Sequence, residues 1–259
     1  MRPLPSRPPP RDVQRIVESQ VRKWRIEKGD RASLPDAEQP WPVVTVSREH
    51  GSLGSAVAAR AAEVLGFSFW DQELVQLIAE QTGAEQTLVT SLDERTRTGI
   101  EDFISELLMG VDGSVAEYVR HVARVVRTFE RHGSAVVVGR GAQFIIAPGI
   151  CFRVRVVCPE EIRVARIAAL HGLGEKEAIK HVRAVERERV AFIRRHYSAD
   201  VNDPSHYDLV INTGHVDVAA GAEMLAACYG AKFPAPREAV VEIPERAMDS
   251  APFHPKPEP

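Results

Sequence analysis

The chain is short of cysteine, of charge of one sign and of long apolar runs, and each shortage excludes a class of protein. Three cysteines in 259 residues, Cys151, Cys158 and Cys228, show neither metal-ligand spacing nor a disulfide framework, so they read as buried thiols in a reducing compartment. A net charge of -3 and a pI near 6.3 argue against bulk attraction to nucleic acid or to an anionic membrane. No apolar run approaches the roughly 18 residues of a membrane span, and the first residues lack the apolar stretch of a signal peptide. The expectation is a soluble, cytoplasmic protein with no membrane and no nucleic-acid partner.

What is present is 44% hydrophobic residues, enough for a sizeable core, with prolines gathered at both ends. Residues 1–11 and 231–259 are expected to be disordered and proline-rich. Residues 12–41 are expected to hold an accessory helix and a linker. In that helix Val13, Ile16, Val17, Val21 and Trp24 recur at helical spacing behind Asp12, a possible cap. Its narrow apolar stripe would dock on the main domain or on a second subunit, which makes a homo-oligomer through this helix possible.

The main domain, residues 42–230, opens on the stretch around which the rest is organised. Val43 to Val46 is a β-branched run, followed by a turn containing Gly51 and Gly54 and then by an Ala/Val-rich helical pattern from Gly54 to Leu65. A strand, a glycine turn and a helix in that order form a phosphate loop: backbone N–H groups of Gly51, Ser52, Leu53 and Gly54 and the helix dipole can hold an anion. Ser47, Ser52 and Ser55 add hydroxyls and Arg48 adds a charge. A glycine turn without ligand is the plain structural alternative.

Further strands are expected at Phe67–Trp70, Ser134–Val138, Cys151–Val157 and Tyr207–Asn212, separated by helices. Alternation of this kind predicts a three-layer α/β/α domain with a mainly parallel sheet of about five strands, whose ligands bind at the carboxyl ends. Asp71 sits at a helix start, as a cap or as a ligand contact. Gly139-Arg140-Gly141 follows a strand directly, where glycines permit close approach and a guanidinium can grip a phosphate. Residues 160–200 form two arginine-rich helices about Gly172 and Gly174, a candidate lid over polyphosphate, with ordinary solvated helices as the alternative.

Taken together, Val44-Thr45-Val46-Ser47-Arg48-Glu49-His50-Gly51-Ser52-x-Gly54, Phe69-Trp70-Asp71-x-Glu73-Leu74, Val136-Val137-Val138-Gly139-Arg140-Gly141-Ala142, Arg153-Val154-Arg155-Val156-Val157 and Tyr207-Asp208-Leu209-Val210-Ile211-Asn212-Thr213 resemble the cytidylate kinase-like family, a branch of the nucleoside monophosphate kinases. The resemblance covers about Val43 to Tyr229. It implies a P-loop kinase fold with a helical lid, moving the γ-phosphoryl group of ATP, with Mg2+, onto CMP or a related nucleotide. It implies that Ser47 to Ala56 is the ATP phosphate loop and that Arg140 binds the acceptor phosphate, with Asp71 and Arg120 at acceptor positions. Arg163, Arg166 and Arg189 would be lid arginines, the last within Glu186-Arg187-Glu188-Arg189. No protein ligand for Mg2+ is identified. The chain departs from cytidylate kinases at the lysine position, which is Gly54, at the metal-binding hydroxyl position, which is Ala56, and at the acidic flanks of the arginine, which are Gly139 and Gly141. Within the kinase-like family, Leu53 and Ser55 stand where a glycine and an arginine are usual. A catalytically weak or inactive nucleotide sensor or scaffold with a kinase fold is the alternative.

Overall fold

A computed structural model describes residues 12–31, 42–108 and 114–234. The proline-rich stretches 1–11 and 235–259 and the linker 32–41 lie outside the described residues. Five strands, β1 (Val43–Arg48), β2 (Ser68–Trp70), β3 (Ala135–Val138), β4 (Cys151–Val157) and β5 (Leu209–Asn212), form one parallel sheet in the order β2-β3-β1-β4-β5. Pairing aligns Val46 with Val138 on one side and with Val154 on the other, so β1 is central and its apolar run is covered on both faces. The expected strands at Phe67 and Tyr207 begin later, at Ser68 and Leu209. A 3₁₀ turn at Pro204–His206 turns Tyr207 out of the ladder, and its hydroxyl donates to the Val201 carbonyl at 2.7 Å.

Alternate side chains divide the core into two layers. Val44, Val46, Val136, Val138 and Val154 face α2 (Gly54–Leu65) and α10 (Val218–Lys232). Val43, Ala135, Val137 and Cys151 face the other layer, built from α1 (Val13–Arg31), α3 (Gln72–Glu80), α4 (Thr82–Val89), α5 (Glu94–Leu107), α6 (Ser114–His132) and the short α7 (Ala142–Ile145). The chain therefore forms a three-layer α/β/α fold with a parallel sheet. A hairpin of α8 (Glu160–His171) and α9 (Glu175–Tyr197) has a small core of its own in Val164, Ile167, Ala178 and Val182. Gly172 ends α8 in the left-handed conformation, φ 63°, which a glycine adopts without steric cost.

Helix α1 starts where its sequence signals: Asp12 accepts the Arg15 N–H at 3.2 Å. Val13, Val17, Val21 and Trp24 are all buried, against α3, α4 and α6 of the same chain. Docking on the main domain thus takes up the stripe on which a helix-mediated oligomer would rest. Trp24 stacks on His132, with ring centroids 3.8 Å apart, and lies 6.1 Å from Trp70, which in turn stacks on Phe129. We expect Trp24→Ala to cost about 3–5 kcal/mol of unfolding free energy in urea titrations, as a large core truncation does.

Candidate functional site

The loop between β1 and α2 is shaped by its own side chains. Ser52 is fully buried; its Oγ donates to the Glu49 carbonyl at 2.8 Å and accepts the Gly54 N–H at 3.3 Å. Ser47 Oγ accepts from Arg155 Nη1 at 2.9 Å. The hydroxyls of Ser47 and Ser52, expected at a ligand, are thus engaged in holding the loop, as is the Gly54 N–H. Leu53 caps α2 with φ 58°, and Ser55 is exposed on its first turn. Helix geometry leaves the N–H groups of Ser55 and Ala56 without intrahelical acceptors, at the positive end of the dipole.

Gly54, in the lysine position, has a steric cause. A Cβ there would overlap Arg48 Cβ and lie 3.0 Å from Val156 Cβ, so the helix can approach the strand only without a side chain. The space is taken by Arg48, whose guanidinium crosses to α3 and donates from Nη2 to Gln72 Oε1 at 2.6 Å. The charge lost at position 54 is present nearby on Arg48.

Arg48 is one of a group. Its electrostatic neighbours include Arg189, Arg140 and Arg155, and the carboxylate of Glu186. Burial first, and then the charges of Arg189 and Arg140, push Arg48 down to about 9, still cationic at neutral pH. Burial likewise lowers Arg189, against the pull of Glu186. Arg155 is 5% exposed within β4 and is held by Ser47 and by Asn202 Oδ1 at 3.0 Å. Arg140 stands in the left-handed region at φ 56° between Gly139 and Gly141. A Cβ at 141 would overlap the Tyr197 ring, and Gly139 holds φ 78° with Arg48 Nη1 2.6 Å from where its Cβ would lie, so a side chain at either position is strained. Tyr197 donates to the Arg140 carbonyl at 2.8 Å, Arg140 Nη2 donates to Gln76 Oε1, and Arg140 Nε is buried with no partner among the described residues.

The lid arginines divide by role. Arg163 is buried, donating from Nε to the Cys158 carbonyl at 2.8 Å and lying 3.4 Å from Glu49, whose other tie is the Cys158 N–H at 2.9 Å. Arg166 donates to the carbonyls of Gly51, at 3.2 Å, and Thr213, at 3.0 Å. Both clamp the loop to the ends of β4 and β5 instead of standing free above it. Arg189 faces the arginine group, donating from Nη1 to the Arg48 carbonyl and to Glu186, each at 3.1 Å. Glu186 also accepts the His50 N–H of the loop at 2.6 Å, so a carboxylate from the lid sits on a loop donor.

Asp71 caps α3, accepting the Leu74 N–H at 2.7 Å. Arg120 is exposed on α6 and its charge acts on Glu101 of α5; the residue of α6 that neighbours Arg140 is Tyr118, two positions earlier. Arg155 had a signal in the sequence, since an arginine inside a doubly covered parallel strand needs a buried polar partner. Gln72, Gln76 and Tyr197 had none. Two clefts adjoin the loop. One, of about 950 Å³, lies between α8 and α9 and includes Glu49, Arg163, Glu186, Arg194 and Asn202. The other, of about 590 Å³, lies between Leu53, Arg166 and the turn Thr213–Asp217.

Comparison with known proteins agrees with this geometry. Residues 43–215 match the model of the cytidylate kinase-like family. A cytidylate kinase of Methanothrix thermoacetophila is 27% identical over 176 residues, 68% of this chain and 90% of that protein. One from Ignicoccus hospitalis is 30% identical over 174 residues, 66% of this chain and 89% of its own. The crystal structure of an uncharacterized protein from Eubacterium ventriosum superposes with a TM-score of 0.61 at 19% identity, covering 73% of this chain and 98% of that one. Among the described residues no helix is long and apolar enough to cross a membrane.

Two measurements test the loop. Gly54→Lys should destabilise the protein by about 1–3 kcal/mol through overpacking, and a double-mutant cycle with Arg48→Gly, which removes the overlapping Cβ, should recover part of that loss. His50 supplies a pH test. Its ring lies 5.1 Å from His181, its Nε2 is buried without a partner among the described residues, and burial, then Arg189 and His181, lower its pKa from 6.5 to about 4. The unfolded chain therefore takes up a proton that the folded chain refuses. Stability should fall as pH drops from 6.5 towards 4 and level off below, with a smaller fall in His50→Gln. Urea midpoints across that range would show it.

Proposed function

We propose, since this chain belongs to the cytidylate kinase-like family, that it transfers the γ-phosphoryl group of ATP to CMP or a related nucleoside monophosphate. The observation that carries the reading is the charge imbalance at the carboxyl end of β1: Arg140, Arg155 and Arg189 are gathered about Arg48, with Glu186 bound to Arg189. A buried excess of cations is costly unless an anion completes it, and a phosphoryl group in transfer is such an anion.

Each residue then has a task. The N-terminus of α2 takes the donor phosphates, and the cleft beside Leu53 and Arg166 takes the donor nucleoside. Arg140 holds the acceptor phosphate through its unpartnered Nε and remaining N–H groups. Arg48 does the electrostatic work of the missing lysine, and Arg189 bridges loop and lid, neutralising charge on the transferred group. Arg163 and Arg166 keep the loop in shape. Glu49 and Glu186 are the carboxylates at the loop. They fit a Mg2+ ion that arrives with the nucleotide and keeps most of its ligands from phosphate and water, because the described residues offer no group of three protein ligands. When bound, Mg2+ would neutralise charge on the phosphates.

A second reading, a nucleotide sensor of the same fold, is favoured by Ala56, which lacks the metal-binding hydroxyl, and by the engaged hydroxyls of Ser47 and Ser52. One experiment separates the two. Purified protein is incubated with ATP, Mg2+ and a panel of nucleoside monophosphates while diphosphate formation is followed. Turnover is expected with CMP or a close relative, and Arg140→Ala should lower it on the order of 100-fold or more. Turnover that is absent while ATP or CMP still raises the melting temperature supports the sensor; absence of both overturns both readings.

A further inference from the structure

Two glutamines on one face of α3 explain how the arginines can be held in place and still keep their charge. Gln72 and Gln76 are four residues apart, one helical turn, so their side chains project on the same side. Gln72 Oε1 accepts from Arg48 Nη2 at 2.6 Å, and Gln76 Oε1 accepts from Arg140 Nη2. The Gln76 amide has a defined orientation, because its Nε2 donates to Glu80 Oε1 at 2.6 Å and so turns the carbonyl oxygen toward Arg140. Elsewhere on the α3 to α6 side, arginines are held by carboxylates: Arg124 pairs with Glu101 at 2.6 Å, and Arg127 with Glu130. Only an acceptor without charge can orient a guanidinium and leave its full charge for something else. Arg140 also retains a buried Nε with no partner among the described residues, a donor set in place for a group the chain does not supply.

We infer that Gln72 and Gln76 are positioning residues that aim Arg48 and Arg140 at the anionic groups of the substrates while leaving both arginines unneutralised. The inference rests on reading the arginine group at the carboxyl end of β1 as an anion site, and deepens that reading by naming what keeps the site cationic. It also separates two properties that ordinarily change together. A carboxylate at position 76 would add an ion pair to the folded protein and at the same time cancel the charge the ligand needs.

The test uses the full chain, with inorganic pyrophosphate and CMP as probes in calorimetric titrations, and thermal unfolding in parallel. Gln76→Glu, made together with Glu80→Gln so that the new carboxylate does not face the Glu80 carboxylate in place of the present 2.6 Å bond, should weaken pyrophosphate binding about tenfold or more while the melting temperature holds or rises. Gln72→Glu should act in the same direction. Gln76→Leu, which removes the acceptor without adding charge, should weaken binding only several-fold. Pyrophosphate binding by Gln76→Glu with Glu80→Gln equal to that of the unaltered protein overturns the inference, as does a fall in affinity matched by a fall in melting temperature. Pyrophosphate bound by the unaltered protein with no diphosphate formed defeats the kinase reading alone. Failure of the unaltered protein to bind pyrophosphate overturns the inference itself.

Discussion

Like charges gathered at one point must be held together against their own repulsion. At the carboxyl end of β1 that work is divided among three elements. The sheet holds Arg155 through Ser47. Helix α3 holds Arg48 and Arg140 through amide oxygens. Helix α9 brings Arg189 together with the carboxylate of Glu186. The neighbouring glycines serve the same arrangement: positions 54 and 139 are kept bare so that the Arg48 side chain can pass.

This arrangement alters how a degenerate phosphate loop is understood. Here the first turn of α2 is pressed onto the sheet, and Arg48, the last residue of β1, packs against it. Stabilising charge in a phosphoryl-transfer site needs to be near the developing negative charge; it need not come from one particular chain position. Glu186, bonded to the His50 N–H and to Arg189, ties loop to lid through an anion that belongs to the protein.

The layers of the fold were legible because apolar periodicity reports which faces are covered. The expected limits of α2 and β4 agree with the observed Gly54–Leu65 and Cys151–Val157. The site was legible in location but less so in detail. An arginine on a helix reads the same whether it faces a ligand or a carbonyl, so Arg163 and Arg166 resembled lid residues until the ends of β4 and β5 were placed beside them. Ser47 and Ser52 were attractive as hydroxyls, and only the tertiary structure reveals that Arg155 and the Gly54 N–H reach them first. Gln72 and Gln76 are silent in sequence because a glutamine acquires a role only from its partner.

Helix α1 lies outside the family match, which begins at residue 43, yet its side chains are among the most buried in the protein. Through Val13, Val17, Val21 and Trp24 it closes the layer behind α3, the helix that carries both glutamines. The stretch that matches the family and the stretch that must be present for the core to be dry therefore have different starting points. A chain cut before residue 43 would keep Arg48, Arg140, Arg155 and Arg189 and expose the indole of Trp70 and the ring of Phe129 to water, a surface more inclined to self-association than to catalysis.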